Sequence, residues 1–178
     1  MMGGGSWLLN RLKESRVAQA AVAVALVGAV AFTWWTISPL FLTTTLQESL
    51  PLPGSTASPV TTSTAATASP RVLAMGQLQR VDDIHRGRGP VRLVEVEGTV
   101  YVRFENVAIQ NGPDLHVYLG RGKGGAYDPK RDLYLGPLKA TNGSFNYQLP
   151  LGTSTADYMS VIVWCRAFSV LFTWADLR

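Results

Sequence analysis

Cysteine, histidine and continuous charge are all scarce in this 178-residue chain. The single cysteine, Cys165, excludes an intramolecular disulfide, so cysteine pairing indicates no redox compartment. The only histidines, His85 and His116, leave little material for a histidine-based metal site. No Lys/Arg run with interleaved aromatics marks a nucleic-acid face, and no nucleic-acid partner is expected. Neither Gly-x-Ser-x-Gly nor His-Glu-x-x-His occurs, and no nucleophile–base–acid set is visible. The chain therefore reads more as a carrier or binding module than as an enzyme. Charge is missing altogether between Arg16 and Glu48.

Within that uncharged stretch, Val17 to Ile37 is almost wholly apolar, and 21 residues suffice to cross a bilayer's hydrocarbon core. Arg11, Lys13 and Arg16 precede it, and no positive charge follows before Arg71. The positive-inside rule then puts residues 1–16 in the cytoplasm and the remainder across the membrane. Trp34 and Trp35 stand at the far end, at headgroup level. The lipid bilayer is thus an expected partner of residues 17–37, and the cell membrane, single-pass, the expected location. A cleaved leader ending near Ala29-Val30-Ala31 is the competing reading, but Phe32, Trp34 and Trp35 follow where polar sequence should be. Residues 38–70 then turn rich in Ser, Thr, Ala and Pro. From Pro51 to Pro70 they carry no charge and no aromatic ring, which predicts a disordered linker.

From Arg71 to Arg178 the pattern has a period of two, and thirteen Lys/Arg interleave with ten Asp/Glu. A two-residue turn at Glu97-Gly98 sets Val96 against Thr99, Leu93 against Val102 and Val91 against Phe104. It collects Val91, Leu93, Val100, Val102 and Phe104 on one face and Arg92, Val94, Tyr101 and Arg103 on the other. In the run from Asp114 to Gly120, Leu115, Val117 and Leu119 point one way, and Asp114, His116 and Tyr118 the other. Short strands follow at Leu133–Leu138 and Phe145–Leu149, separated by a turn at Thr141-Asn142-Gly143. Met159, Val161, Val163 and Cys165 share a face; Phe168, Val170 and Phe172 have the opposite parity, which predicts a bulge or corner around Arg166-Ala167. The expected fold is all-β, an antiparallel sandwich of six to eight strands over 71–178, preceded by one transmembrane helix.

These pieces, read together, resemble the DM-thirteen domain family, a group of predicted electron-transfer domains. The resemblance is carried by Asp83-Ile84-His85, Gly98-Thr99-Val100, Asn111-Gly112-Pro113-Asp114-Leu115, His116-Val117-Tyr118-Leu119, Leu135-Gly136-Pro137-Leu138-Lys139 and the terminal run Ser160 to Val170. It spans about residues 72–178, and Trp164 to Phe168 is its strongest stretch. It implies a β-sandwich akin to DOMON domains, which hold haem or sugars, and a redox role centred on the cysteine, here Cys165. With no multi-span cytochrome segment present, an electron partner would be another chain.

Cys165 has two readings from the residues themselves. It is either a small buried hydrophobe or a thiolate whose acidity Arg166 enhances. His85 and His116 with Cys165 could form a His2Cys centre with Met159 as axial ligand, but the spacing is wrong for a blue-copper loop. Either histidine could ligate haem, with Met159 or Met75 opposite. Asp82, Asp83 and Asp114 would offer calcium too few convergent oxygens. Arg121-Gly122-Lys123-Gly124-Gly125 lacks the context of a phosphate loop and reads as a mobile connection. Two functions follow: a membrane-anchored extracytoplasmic redox accessory using Cys165 or a bound centre, with a redox or envelope protein as partner, or a non-catalytic binding module for a sugar, envelope polymer or protein. The cofactor is left open.

Overall fold

The computed structural model describes residues 16–37, 43–51 and 69–178. They divide into two units, the first ending at Leu42 and the second running from Thr43 to Arg178. In the first unit, helix α1 spans Arg16–Ile37. Its large apolar side chains, among them Val24, Val27, Phe32 and Trp34, are exposed. Among the described residues no helix is long and apolar enough to cross a membrane. The transmembrane helix expected over 17–37 is corrected accordingly. A helix occupies that stretch, but Gln19 and Thr33 interrupt its apolar run, leaving Ala20–Phe32, short of the roughly 20 residues a span needs.

The second unit contains two sheets. Its strands are β1 (Thr45–Gln47), β2 (Arg71–Gln77), β3 (Gly87–Arg88), β4 (Pro90–Val96), β5 (Thr99–Ile109), β6 (Leu115–Gly120), β7 (Leu133–Pro137), β8 (Asn142–Gln148), β9 (Ser160–Cys165) and β10 (Val170–Asp176). The first sheet has the order β1-β8-β5-β4-β2, with β3 pairing β5; the second has the order β10-β9-β6-β7. The expected hairpin is present in its expected register: Val96 opposes Thr99, Leu93 opposes Val102 and Val91 opposes Phe104. Glu97 and Gly98 take φ of 48° and 76°, the left-handed pair that matches strand twist in a two-residue turn.

Between the sheets lie Val91, Leu93, Val102, Phe104, Phe145 and Tyr147 from the first, and Leu115, Val117, Leu119, Val161, Val163 and Cys165 from the second. Register partners Phe104 and Phe145 stack at 4.9 Å. Strands β2 and β10 close one side, where Met75 and Arg178 exchange backbone hydrogen bonds of 3.0 Å. The close approach leaves no room for a side chain at Gly76, whose Cβ would meet the Asp176 carbonyl.

Several expectations change. The linker predicted over 38–70 is interrupted, because Thr45–Gln47 pairs with β8, and in parallel, so the sandwich is not purely antiparallel. Propensity gave no sign of this, since β1 is held by side chains far away in sequence. Glu48 accepts from Lys139 Nζ at 3.0 Å and from the Asn146 backbone N–H at 2.8 Å, while Arg103 donates to the Glu48 carbonyl at 3.0 Å. Much of the rest of the linker, residues 52–68, lies outside the described residues, as does the expected cytoplasmic segment apart from Arg16. The turn expected at Thr141-Asn142-Gly143 instead leads into β8, where Gly143, with φ 104°, passes so close to β1 that a Cβ would meet the Leu46 carbonyl. The parity change after Cys165 is a chain reversal: β9 turns into β10 through 166–169, with Cys165 opposite Val170.

Candidate functional site

Cys165 is wholly buried on the inner face of β9, opposite Leu115 on one side and Val170 on the other. Arg166 does not turn back to it. The guanidinium runs over the outer face, where Nε donates to the Tyr118 hydroxyl at 2.6 Å. Strand alternation separates the thiol from the cation.

The two histidines lie in different settings. His85 sits in the connection between β2 and β3, its Nδ1 2.7 Å from Asp82 Oδ2 and its ring edge-on to Phe172. Asp82 also accepts the backbone N–H groups of Ile84 and His85 at 2.9 and 2.7 Å. The His85 hydrogen bond, with these N–H groups, holds the Asp82 carboxyl below its ordinary value. His116 projects outward from β6, with Nε2 2.6 Å from Asp114 Oδ1 and Nδ1 2.9 Å from the Tyr134 hydroxyl. Among the described residues no group of three or more His, Cys, Asp or Glu could hold a metal ion. His85, His116 and Cys165 are thus not assembled into a centre. Both ring nitrogens of His116 thus have hydrogen-bond partners. Met159 and Met75 are exposed side chains, 40% and 45% accessible.

What the fold does assemble is aromatic. Tyr118 and Ile162 point outward from the second sheet yet are buried. The connection between β6 and β7, residues 121–132, folds over them. Expected to be mobile, it is fastened down: Ser160 Oγ donates to the Gly122 carbonyl at 2.6 Å, Gly124 N–H to Asp176 at 2.8 Å, and Asp132 accepts from the backbone of Arg121 and Asp128. It delivers Tyr127 onto the sheet. Tyr127 stacks on Trp164 with ring centroids 4.3 Å apart and meets Tyr118 edge-on at 4.8 Å. Tyr118 lies 5.2 Å from Tyr134, and Tyr134 lies 5.6 Å from the His116 ring. Arg166 lies over Tyr134 at 4.2 Å and near Tyr118 at 5.6 Å, favourable cation–π geometry. Burial, and then the hydrogen bond to Tyr118, pushes the Tyr127 phenol up to about 12. Hydrogen bonding to Tyr118 likewise raises Arg166 above its ordinary value.

The sequence reading missed this array. Its signal was the outward parity of His116 and Tyr118, with Trp164 directly opposite His116; what Tyr127 and Tyr134 add depends on the fold.

The family described as Electron transfer DM13 matches residues 77–177, more than half of the chain, and the protein belongs to that family. Neither the curated proteins nor the solved structures yield a match. The structure is mostly β, with two sheets, and the match, which begins at residue 77, leaves out α1, β1 and all but the last residue of β2.

Proposed function

We propose that this protein is an electron-transfer accessory, attached to a membrane through α1, and that its carriers are the stacked aromatic side chains on the outer face of the second sheet. The observation that carries this reading is the run Trp164, Tyr127, Tyr118, Tyr134, with successive centroid separations of 4.3, 4.8 and 5.2 Å. Tryptophan and tyrosine are readily oxidised side chains, and close ring contacts allow an electron vacancy to hop from one to the next. Family membership supports the electron-transfer class. Thiol chemistry at Cys165, the centre expected from the resemblance, would need a local opening, because exchange requires access to the sulfur. Membrane attachment rests on the uncharged stretch from Val17 to Gln47 and on the exposed apolar side chains of α1, among them Val24, Val27, Phe32 and Trp34.

The test is flash oxidation of the full chain in detergent with a one-electron oxidant, followed by transient absorption. A tryptophan radical should convert to a tyrosine radical, and Trp164→Phe should remove most of that conversion. Conversion unchanged in Trp164→Phe sinks the array as a carrier. The second reading, a binding module for an envelope polymer or protein, is favoured by Phe168, 71% exposed at the tip of the β9–β10 turn. Retention on cell-envelope material that Phe168→Ser abolishes, with radical transfer intact, would favour it.

A further inference from the structure

Tyr118, Tyr127 and Tyr134 differ in what surrounds their hydroxyls. That of Tyr118 accepts a hydrogen bond from Arg166, and Tyr127 bonds to Tyr118. Tyr134 alone of the three bonds a histidine. The direction of that bond follows from the chain behind it. An ionised Asp114 can only accept, so His116 Nε2 carries the proton of the 2.6 Å contact. Neutral imidazole then has a bare Nδ1, and the Tyr134 O–H donates to it across 2.9 Å.

The result is a directed line from phenol to imidazole to carboxylate. His116 is largely covered, with 12% of its side chain accessible, while Asp114 at 44% reaches solvent. Tyr134 is itself 42% exposed, open to a docking oxidant. Arg166 adds a constraint. A guanidinium 4.2 Å from the Tyr134 ring makes a phenol radical cation costly, since like charges would face each other at short range. Oxidation of this ring is therefore favourable only if its proton leaves with the electron.

We propose that Tyr134 is the redox-active terminus of the array and that His116, held by Asp114, takes its phenolic proton as the electron departs. The inference rests on the electron-transfer reading above and names the residue and the proton path. In the step, the Tyr134 O–H bond breaks. One electron goes to an external one-electron oxidant, an oxidised metal centre or organic radical on a partner protein. The proton goes to His116 Nδ1. The products are a neutral tyrosyl radical and an imidazolium paired with Asp114; re-reduction returns both. Asp114 from the turn before β6, Tyr118 from β6, Tyr134 from β7 and Arg166 from the β9–β10 turn are the titratable or charged groups facing this line. Trp164 on β9, opposite His116, is uncharged.

The experiment oxidises the full chain directly with a photogenerated ruthenium(III) complex and detects tyrosyl radical by electron paramagnetic resonance. Tyr134→Phe should remove the main signal. His116→Ala should slow radical formation by about tenfold or more, the low end for loss of a positioned base. It should also respond to added imidazole. Asp114→Asn, a milder change, should slow formation less and reduce the solvent isotope effect. Circular dichroism establishes that each variant is folded; if His116→Ala is not, Asp114→Asn and the wild-type isotope effect decide. Unchanged rates in the folded variants, or no isotope effect in the wild type, overturn the proposal. Trp164→Phe separates the two readings. Loss of Trp-to-Tyr conversion there tests the array, whereas direct oxidation of Tyr134 depends on His116 whether or not the array conducts.

Discussion

At the scale of single residues, position within a strand decides chemistry. Cys165 and Trp164 are neighbours in sequence, yet one is sealed between the sheets and the other lies in the aromatic array. The Cys165 thiol should react slowly with thiol reagents in the native protein and rapidly after unfolding. Cys165→Ser puts a hydroxyl in an apolar setting and should cost about 1–3 kcal/mol if it gains no partner. Rapid native labelling would contradict that burial. Glu97 marks a different local cost: a non-glycine residue at φ 48°. Asn-Gly is the favoured pair for this turn, so Glu97→Asn should raise stability by about 0.5–1 kcal/mol, within the penalty for left-handed backbone. A chemical-denaturation midpoint that does not rise would show that the turn carries no such strain.

At the scale of elements, β1 is the least expected part of the fold. It is three residues long and, among the described residues, pairs only with β8, so its side-chain anchors decide whether it stays. Burial alone would raise the Glu48 carboxyl, but the Asn146 N–H and Lys139 outweigh it and hold the group below its ordinary 4.5. A depressed carboxylate contributes stability that is complete above the unfolded value and lost as pH falls through the folded one. The anchor should therefore weaken below about pH 4.5. Glu48→Gln should cost about 1 kcal/mol at neutral pH, discounted for partial exposure. It should also flatten the acid limb of the stability profile, as urea melts across pH would measure; an unchanged limb would detach Glu48 from that role.

At the scale of the whole molecule, the β unit begins at Thr43 rather than Arg71. A chain starting at Arg71 lacks β1 and leaves the edge of β8 open. It should melt about 5–10 °C below one starting at Thr43, as a loss of one or two kcal/mol does in a domain of this size. Equal melting temperatures would make β1 an ornament.

Much of the β architecture was legible because strand alternation is a local, covalent property. Every residue points opposite to its neighbour, so the sequence alone placed Val91, Leu93 and Val102 inward, set the register across Glu97-Gly98, turned His116 outward and Cys165 inward, and marked a break in parity near Arg166, which the fold turns into a chain reversal. The lateral order of strands is not local. Period two names a face but not the neighbour across it, so β1 beside β8 and the closure of β2 on β10 depended on packing. The candidate site fell on the same side of that line. Trp164, Tyr127, Tyr118, Tyr134 and Arg166 come from three strands, a loop and a turn, and no sequence spacing relates them. Only folding residues 121–132 over the second sheet, and pairing β6 between β7 and β9, brings their rings within hopping distance.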